Sequence, residues 1–176
     1  MTDRRVLVLD SSIAAAPEVG RWLAALQDAR ERTLRVVVGA PPHAIDWIPS
    51  AGGNSLGSLL YHIAYIEADW LFEDILGPES GCCVPLDLFP FEVREEGGIL
   101  TPVLGMSLAE HLARLEATRT TLLECLQGMS PRELDLVRQR ADYDVSPAWV
   151  LHHLLQHEAE HRAHIATLRT DAEIHR

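Results

Sequence analysis

Start and stop signals of α-helices punctuate the chain, and they constrain its fold more than any other feature. Pro17 predicts the first position of a helix that is expected to end at Gly39. A second helix is predicted to begin after the stretch AGGNS and to stop at Gly77. In both segments apolar residues recur every three to four positions, which is the period of a helix with one buried face.

A long connection separates the second predicted helix from the third. Residues 78–106 are rich in Gly and Pro, which predicts an extended crossover rather than a tight turn. Ser107 and Glu110 then form a capping-box pattern, in which each side chain satisfies a free backbone N–H of the other residue. This pattern predicts the start of the third helix, which is expected to end before Gly128.

The C-terminal part of the chain carries similar signals. Ser130 begins another capping box, which predicts a short helical piece. Ser146 as N-cap and Pro147 at the first position predict a last long helix that runs to about Arg169. Four long helices and one long connection predict an all-α fold, a four-helix bundle with a crossover between helices 2 and 3. The segment RRVLVLD is the one candidate for extended structure.

Composition limits what such a bundle could bind. The 176 residues, 47% of them hydrophobic, suffice for one buried core, so we expect a single domain over residues 1–176. The formal net charge of −11 disfavours DNA, RNA and anionic lipid as ligands. All 15 basic residues are arginine. Without lysine, neither Schiff-base chemistry nor a Walker-type phosphate loop is available.

Cysteine usage and hydropathy indicate a cytoplasmic protein. Cys82, Cys83 and Cys125 lack C-x-x-C spacing, and the adjacent pair is a poor candidate for a disulfide. The N-terminus lacks the apolar stretch of a secretory signal, and no segment approaches about 18 consecutive apolar residues. We therefore expect a reducing compartment and no membrane partner.

Two histidines of the last helix occupy positions where a bundle places leucine. The series predicted to face the core is Val150, Leu154, His157, His161, Ile165 and Leu168. Imidazoles at i and i+4 lie side by side and can hold one divalent metal ion; the alternative is a pair of hydrogen-bonded core histidines. His153 and His164 lie on the same helix, but the rise of about 10 Å from His157 to His164 is too long for a shared ion.

A third ligand must therefore come from another helix. His62 borders the apolar stripe of the second helix and is the best candidate. His111 on the third helix is the reserve, because the leucines around it place it on the flank of the stripe. His43 and His175 lie outside the long helices, and we expect both to be solvated.

The segment HEAEH at residues 157–161 is also a literal match to the H-E-x-x-H motif of zinc metalloproteases. Metzincins continue this motif with a Gly and a further His, and the residues RAH that follow here do not supply them. Thermolysin-like enzymes take a Glu well downstream, but the chain ends soon after His161 and Glu173 is the only Glu left. A metalloprotease is therefore disfavoured.

The segments NSLGSLLYHIAYIEADWL and VSPAWVLHHLLQHEAEHRAHIATLR resemble the DinB/YfiT-like superfamily of candidate metalloenzymes. The family pattern is a His in the second helix and an H-x-x-x-H-R pair in the last helix. These positions fall on His62, with Glu67 five residues on, and on His157, His161 and Arg162. The similarity covers the chain from about residue 17 to residue 170, and His164 departs from the small or polar residues of many members.

This resemblance implies an antiparallel four-helix bundle, frequently a homodimer, with a three-histidine metal site of His62, His157 and His161 open to a pocket. Members with assigned activity are S-transferases or isomerases that use bacillithiol, mycothiol or glutathione. A low-molecular-weight thiol and a small electrophile are therefore the expected substrates. Zn, Ni, Fe or Mn would suit three histidines. A metal-dependent hydrolase and a non-catalytic metal- or ligand-binding module remain as alternatives.

Residues around the expected ligands carry further predictions. Tyr65 and Asp69, one and two turns past His62, are expected to line the pocket or orient a ligand; packing of the Tyr and solvation of the Asp are the alternatives. Glu158 acts either as a base or in a hydrogen bond between helices. An ion pair between Glu67 and Arg162 would explain both of those residues.

Overall fold

Long helices make up most of the computed structural model, which describes residues 4, 6–96 and 99–175. In chain order the described helices are α1 (Pro17–Val37), α2 (Pro42–Asp46), α3 (Leu56–Asp69), α4 (Leu108–Leu126), α5 (Pro131–Leu134) and α6 (Pro147–Ile174). Short 3₁₀ turns lie at Ser11–Ile13 and Pro78–Ser80. The predicted all-α class is confirmed. Among the described helices, none has the length and apolar content needed to cross a membrane.

Capping contacts confirm the predicted helix starts. Pro17 is the first residue of α1. Ser107 accepts a hydrogen bond from the N–H of Glu110, and the Glu110 carboxylate accepts one from the N–H of Ser107 at 2.7 Å, so the capping box before α4 is complete. The Ser146 hydroxyl accepts from the N–H of Trp149 at the start of α6. These starts are encoded locally, which explains why the sequence alone could locate them.

The last helix is longer than predicted. It ends at Ile174 instead of near Arg169. Ala172 continues the buried stripe one turn beyond Leu168, and neither residue is more than 3% exposed. Arg169 also pairs with Glu173 at 3.0 Å across one turn of the helix. Burial and this pair together favour the additional turn.

The second predicted helix changes its winding before it ends. Regular α-helix stops at Asp69, and Trp70–Leu76 continues as a π-helical segment. Leu71 and Ile75 of this segment are buried in the core. Gly77 then ends the segment with a φ of 79°, a conformation that favours glycine. Apolar spacing predicted the length of this region but could not distinguish the wider π turn from an α turn.

A small antiparallel pair of strands lies outside the segment that was the candidate for extended structure. β1 (Arg138–Gln139) pairs with β2 (Asp144–Val145) between α5 and α6, and Arg138 lies opposite Val145. Strands of two residues are too short to show an alternating pattern. The segment RRVLVLD forms no strand in its described residues, 4 and 6–10.

Contacts between the long helices bury two apolar clusters. α1 packs against α6, α3 packs against α4, and α3 also packs against α6. One cluster centres on α3 and includes Leu59, Leu60, Ile63, Leu115 and Ile165. The other includes Leu23, Leu26, Leu122, Val150 and Leu154. Most of the stabilising burial of this fold is therefore apolar.

A network of four buried charged side chains crosses the core, with one residue from each long helix. Arg30 of α1 donates to Glu158 of α6 at 2.9 Å and to Glu67 of α3 at 3.1 Å. Arg119 of α4 donates to Glu67 through Nε at 3.1 Å and to Glu158 at 3.0 Å. All four residues are at most 4% exposed. We call Arg30, Glu67, Arg119 and Glu158 the buried ionic network.

The predicted ion pair between Glu67 and Arg162 was wrong, because Glu67 pairs with Arg30 and Arg119 instead. Burial by itself would raise the pKa of Glu67, but Arg119 and Arg30 outweigh it and hold that pKa below its ordinary value. Arg162 instead donates to the carbonyl oxygen of Ala29 at 3.3 Å. Glu67 therefore has two arginine partners from α1 and α4 and none from α6.

Candidate metal centre

Three histidine side chains from two helices meet at one point. His62 lies on α3, and His157 and His161 lie one turn apart on α6. Nε2 of His157 is 3.1 Å from Nε2 of His62 and 3.1 Å from Nε2 of His161. His62 is 3% exposed, and the other two histidines are half-buried. The three residues selected from the sequence therefore converge, and we call them the histidine cluster.

The spacing of the histidine cluster fits a shared cation. Two metal–nitrogen bonds of about 2.0–2.1 Å at a tetrahedral angle place their nitrogens roughly 3.3 Å apart. A neutral imidazole nitrogen carries either one proton or one lone pair, so it forms one good hydrogen bond. Nε2 of His157 has two nitrogen neighbours at 3.1 Å, and direct hydrogen bonds can satisfy only one of them. A pair of hydrogen-bonded core histidines therefore explains the arrangement less well than a metal ion does.

Electrostatics keeps the histidine cluster in the form that a metal needs. Burial lowers the pKa of His62 and of His157 to about 3, and neighbouring histidines add to the effect. The pKa of His161 is also lowered, again first by burial. The positive charge of Arg94 contributes to the lowering at all three residues. At neutral pH the three imidazoles are uncharged, and their lone pairs are available to a cation.

Arg94 was missed by the sequence analysis. It lies on the crossover connection, exposed to solvent, and pairs with Leu100 through an antiparallel bridge. No motif surrounds it, so only the folded position of the connection shows that its charge acts on the histidine cluster.

His153 lies beside the histidine cluster without being part of it. Its ring is 5.8 Å from the ring of His157. It stacks on Trp149 at 5.3 Å with an interplanar angle of 9°, and it lies 4.9 Å from Trp70. Burial lowers its pKa. His153 therefore connects the histidine cluster to a group of aromatic side chains.

The remaining histidines lie away from the histidine cluster. His164 is exposed on α6. His43 and His175 are exposed as predicted, although His43 lies 3.2 Å from the carbonyl oxygen of Ala172 and His175 stacks on Trp47. Neither contact brings these residues to the cluster.

His111 lies in the core, whereas the sequence predicted it on the flank of the apolar stripe of α4. It is 1% exposed, not on the flank, and its Nδ1 lies 3.5 Å from Nη1 of Arg114. The buried face of α4 also carries Arg114, Thr118 and Arg119, whereas Leu112 is only partly buried. Polar residues share the inward face with Leu115, Leu122 and Leu126, so the leucines alone did not show that His111 lies on it.

The other predicted site residues, Tyr65, Asp69 and Glu158, differ in their burial and their contacts. Tyr65 is half-buried, and its ring packs edge to face against Phe89, with 5.2 Å between the ring centroids. Asp69 is half-buried, and burial raises its pKa to about 6, with Glu73 adding to the effect. Glu158 accepts hydrogen bonds from Arg30 of α1 and Arg119 of α4 within the buried ionic network. These contacts are the hydrogen bonds between helices that were one of its two predicted roles.

A profile of the DinB superfamily matches residues 25–165, a span that includes His62, His157 and His161. The chain belongs to the DinB superfamily. The resemblance stated from the two histidine-bearing segments is therefore confirmed. No curated protein matches the chain. In this DinB-superfamily protein the histidine cluster is a group that could hold a metal ion.

Removal of divalent metal from this DinB-superfamily protein is expected to leave its helices intact. Two apolar clusters hold the helices together, and neither depends on the histidine cluster. Far-UV circular dichroism before and after EDTA treatment measures this, with guanidinium-unfolded protein as the reference. Loss of most of the helical signal on chelation would contradict the expectation.

Proposed function

We propose that this protein is a divalent-metal-dependent enzyme that transfers a low-molecular-weight thiol to a small electrophile. His62, His157 and His161 are the proposed ligands. The observation that carries the proposal is the convergence of three Nε2 atoms, two pairs of them 3.1 Å apart, where hydrogen bonding cannot satisfy every nitrogen. Membership of the DinB superfamily supports the same assignment.

The proposed architecture is an antiparallel four-helix bundle that forms one domain over residues 1–176 and associates as a homodimer. Opposite directions of α3 and α6 support it, because His62 meets His157 whereas Trp70, further along α3, meets His153, earlier along α6. Residues 78–106 then form the crossover that connects the second long helix to the third.

A metal held by three histidines keeps at least one coordination position open, and Zn, Ni, Fe or Mn could supply there the positive charge that acidifies a thiol. The protein contributes the remaining electrostatics. Two of the proposed ligands, His157 and His161, are half-buried, so small molecules can reach the histidine cluster. Arg94 adds a second positive charge beside it, which favours a thiolate over a thiol.

Asp69 is a proposed residue of the pocket. It lies two turns past His62 on the same face of α3, about 10 Å along the helix axis, so it is too far to take a proton directly from a thiol at the histidine cluster. The thiol proton passes to solvent, the sulfur electron pair forms the new carbon–sulfur bond, and the electron pair of the broken bond leaves with the leaving group of the electrophile. With an epoxide the released oxygen takes a proton from solvent, so the overall reaction is an addition.

The proposal is tested by measuring thiol consumption. Protein reconstituted with Zn or Ni should consume glutathione, bacillithiol or mycothiol in the presence of monochlorobimane or an epoxide. The rate should rise with metal occupancy and collapse in His157→Ala. His152→Ala is the matched control, because His152 is exposed on the same helix. A free thiol with a pKa of about 8.5 is only a few per cent thiolate at neutral pH, so the metal dependence should be large.

Two other results would replace the proposal. If the protein hydrolyses an ester in a metal-dependent reaction without added thiol, and the thiol assay shows no turnover, the hydrolase assignment replaces the transferase. If the metal-bound protein shows no turnover in either assay, the assignment becomes a non-catalytic metal- or ligand-binding module.

A further inference from the structure

Three aromatic side chains gather beyond His153, on the side away from the histidine cluster. The rings of Trp70 and Trp149 are 5.5 Å apart and inclined at 46°, and those of Trp70 and Tyr143 are 6.1 Å apart at 43°. The chain has only four tryptophans, and two of them meet here. Trp149 is 50% exposed and Tyr143 is 48% exposed, so their ring surfaces remain open. We call Trp70, Tyr143 and Trp149 the aromatic cage.

The aromatic cage borders a cavity of about 500 Å³. Its wall also includes Val137 and Asp144. This volume lies within the range of about 300–1,000 Å³ typical of small-molecule sites. The three rings are tilted relative to one another, which provides walls for a rounded group rather than a parallel slot for a flat ring.

The charges around the cavity are mainly negative. Asp144 lies in its wall, and the Asp74 carboxylate accepts a hydrogen bond from the hydroxyl of Tyr143 at 3.0 Å. The charge of Asp69 acts on Tyr143, and that of Glu73 acts on Asp69. Two guanidinium groups, those of Arg138 and Arg140, oppose these carboxylates. Both donate to the backbone carbonyl of Asp74, and Arg140 also pairs with the Asp74 carboxylate at 3.5 Å.

The start of α6 also borders the cavity, but it offers little to an anion. Ser146, its N-cap, lies in the cavity wall. Pro147 has no N–H, and the N–H of Trp149 already donates to the Ser146 hydroxyl. With Asp144 in the wall and neither of these two positions offering a free N–H, the cavity favours positive charge.

One residue separates the cavity from the histidine cluster. The ring of His153 lies 4.9 Å from Trp70 on one side and 5.8 Å from His157 on the other. A ligand with a group in the aromatic cage and a reactive carbon about 10 Å away, the order of these two ring separations together, would thus extend to the proposed metal.

We propose that the aromatic cage binds a quaternary or alkylated ammonium group, and that the electrophile of the transfer reaction carries this group. Cations are attracted to the faces of Trp and Tyr rings, and methylated ammonium groups bind in cages of such rings. The assignment of the cage stands on its own contacts, whereas the identity of the electrophile rests on the proposed function. Asp144 in the cavity wall complements the positive charge of such a group.

The binding test compares choline with its uncharged analogue, in which a tert-butyl group replaces the trimethylammonium group. Ring currents should shift the choline methyl proton resonances upfield in the metal-free protein. The uncharged analogue should bind about tenfold more weakly, which is what the loss of a partly desolvated cation–π contact costs. Trp149→Leu and Tyr143→Leu should each weaken choline binding about tenfold as well.

Trp47→Leu is the matched control, because Trp47 is a partly buried tryptophan that stacks on His175 away from the cage. It should bind choline like the unaltered protein. Equal affinity for choline and its uncharged analogue, or an equal loss in Trp47→Leu, would overturn the assignment. So would dissociation of a dimer by Trp149→Leu without any choline binding, because the exposed rings would then be an interface between two copies.

A second assay separates this inference from the proposed function. A trimethylammonium compound and its tert-butyl analogue, each with a terminal epoxide on a linear alkyl chain of about 10 Å to match the two ring separations, differ only in charge. The charged epoxide should have the lower KM in thiol transfer. Choline binding without any thiol transfer would refute the transferase and retain the cage. Thiol transfer at equal KM for both epoxides, without choline binding, would refute the cage and retain the transferase.

Discussion

Loss of any one histidine of the cluster is expected to abolish tight metal binding. In His62→Ala, His157→Ala and His161→Ala, the two remaining imidazoles cannot enclose an ion that is shared by three Nε2 atoms. The affinity should fall by more than the ~10- to 100-fold cost of losing a residue that merely orients a ligand. Elemental analysis of the purified variants, followed by competition with a chromogenic chelator, measures this.

Two exposed histidines supply the controls for this experiment. His152 shares α6 with two of the proposed ligands, and His43 lies on α2. Alanine at either position should leave the metal content unchanged. Full metal content in His62→Ala would refute the three-ligand assignment and would direct attention to His111, the other buried histidine.

Truncation of Arg119 is expected to destabilise the protein by about 3–5 kcal/mol, the usual cost of removing one partner from a buried ion pair. Arg119→Ala would leave Glu67 and Glu158 in the core with Arg30 as their only cationic partner among the residues that the structure describes. The free energy of unfolding from urea or guanidinium titration measures the effect.

The surface pair of Arg32 with Asp28 provides the comparison. Its two side chains approach to 2.7 Å but are 58% and 46% exposed, so Arg32→Ala should cost less than about 1 kcal/mol. Similar losses in Arg119→Ala and Arg32→Ala would show that the buried ionic network contributes no more than an exposed pair does.

Helix positions and proposed ligands were predictable because their signals are local. Ser107, Ser146 and Pro17 mark helix starts through contacts within three residues of the chain. His157 and His161 are one turn apart, so their meeting follows from helix geometry alone. These features needed no knowledge of how the helices pack.

Features that depend on the rotation of one helix against another could not be predicted. Glu67 pairs with Arg30 and Arg119 instead of Arg162, and no spacing along the chain distinguishes these arginines. The aromatic cage has the same origin, since Trp70 and Tyr143 come from distant segments and each resembles an ordinary core residue in sequence. In both cases the apolar pattern fixes which helices form but not which polar side chains meet.

The buried ionic network has a consequence for how the chain assembles. Apolar side chains accept many neighbours, so alternative orders of four similar helices would differ little in apolar burial. Each long helix brings a single charge to the network, positive from α1 and α4 and negative from α3 and α6. A helix packed in the reverse direction, or shifted by one turn along its axis, would leave a charge in the core without a counter-ion. The four charges thus discriminate against misassembled topologies that leucine and isoleucine would tolerate.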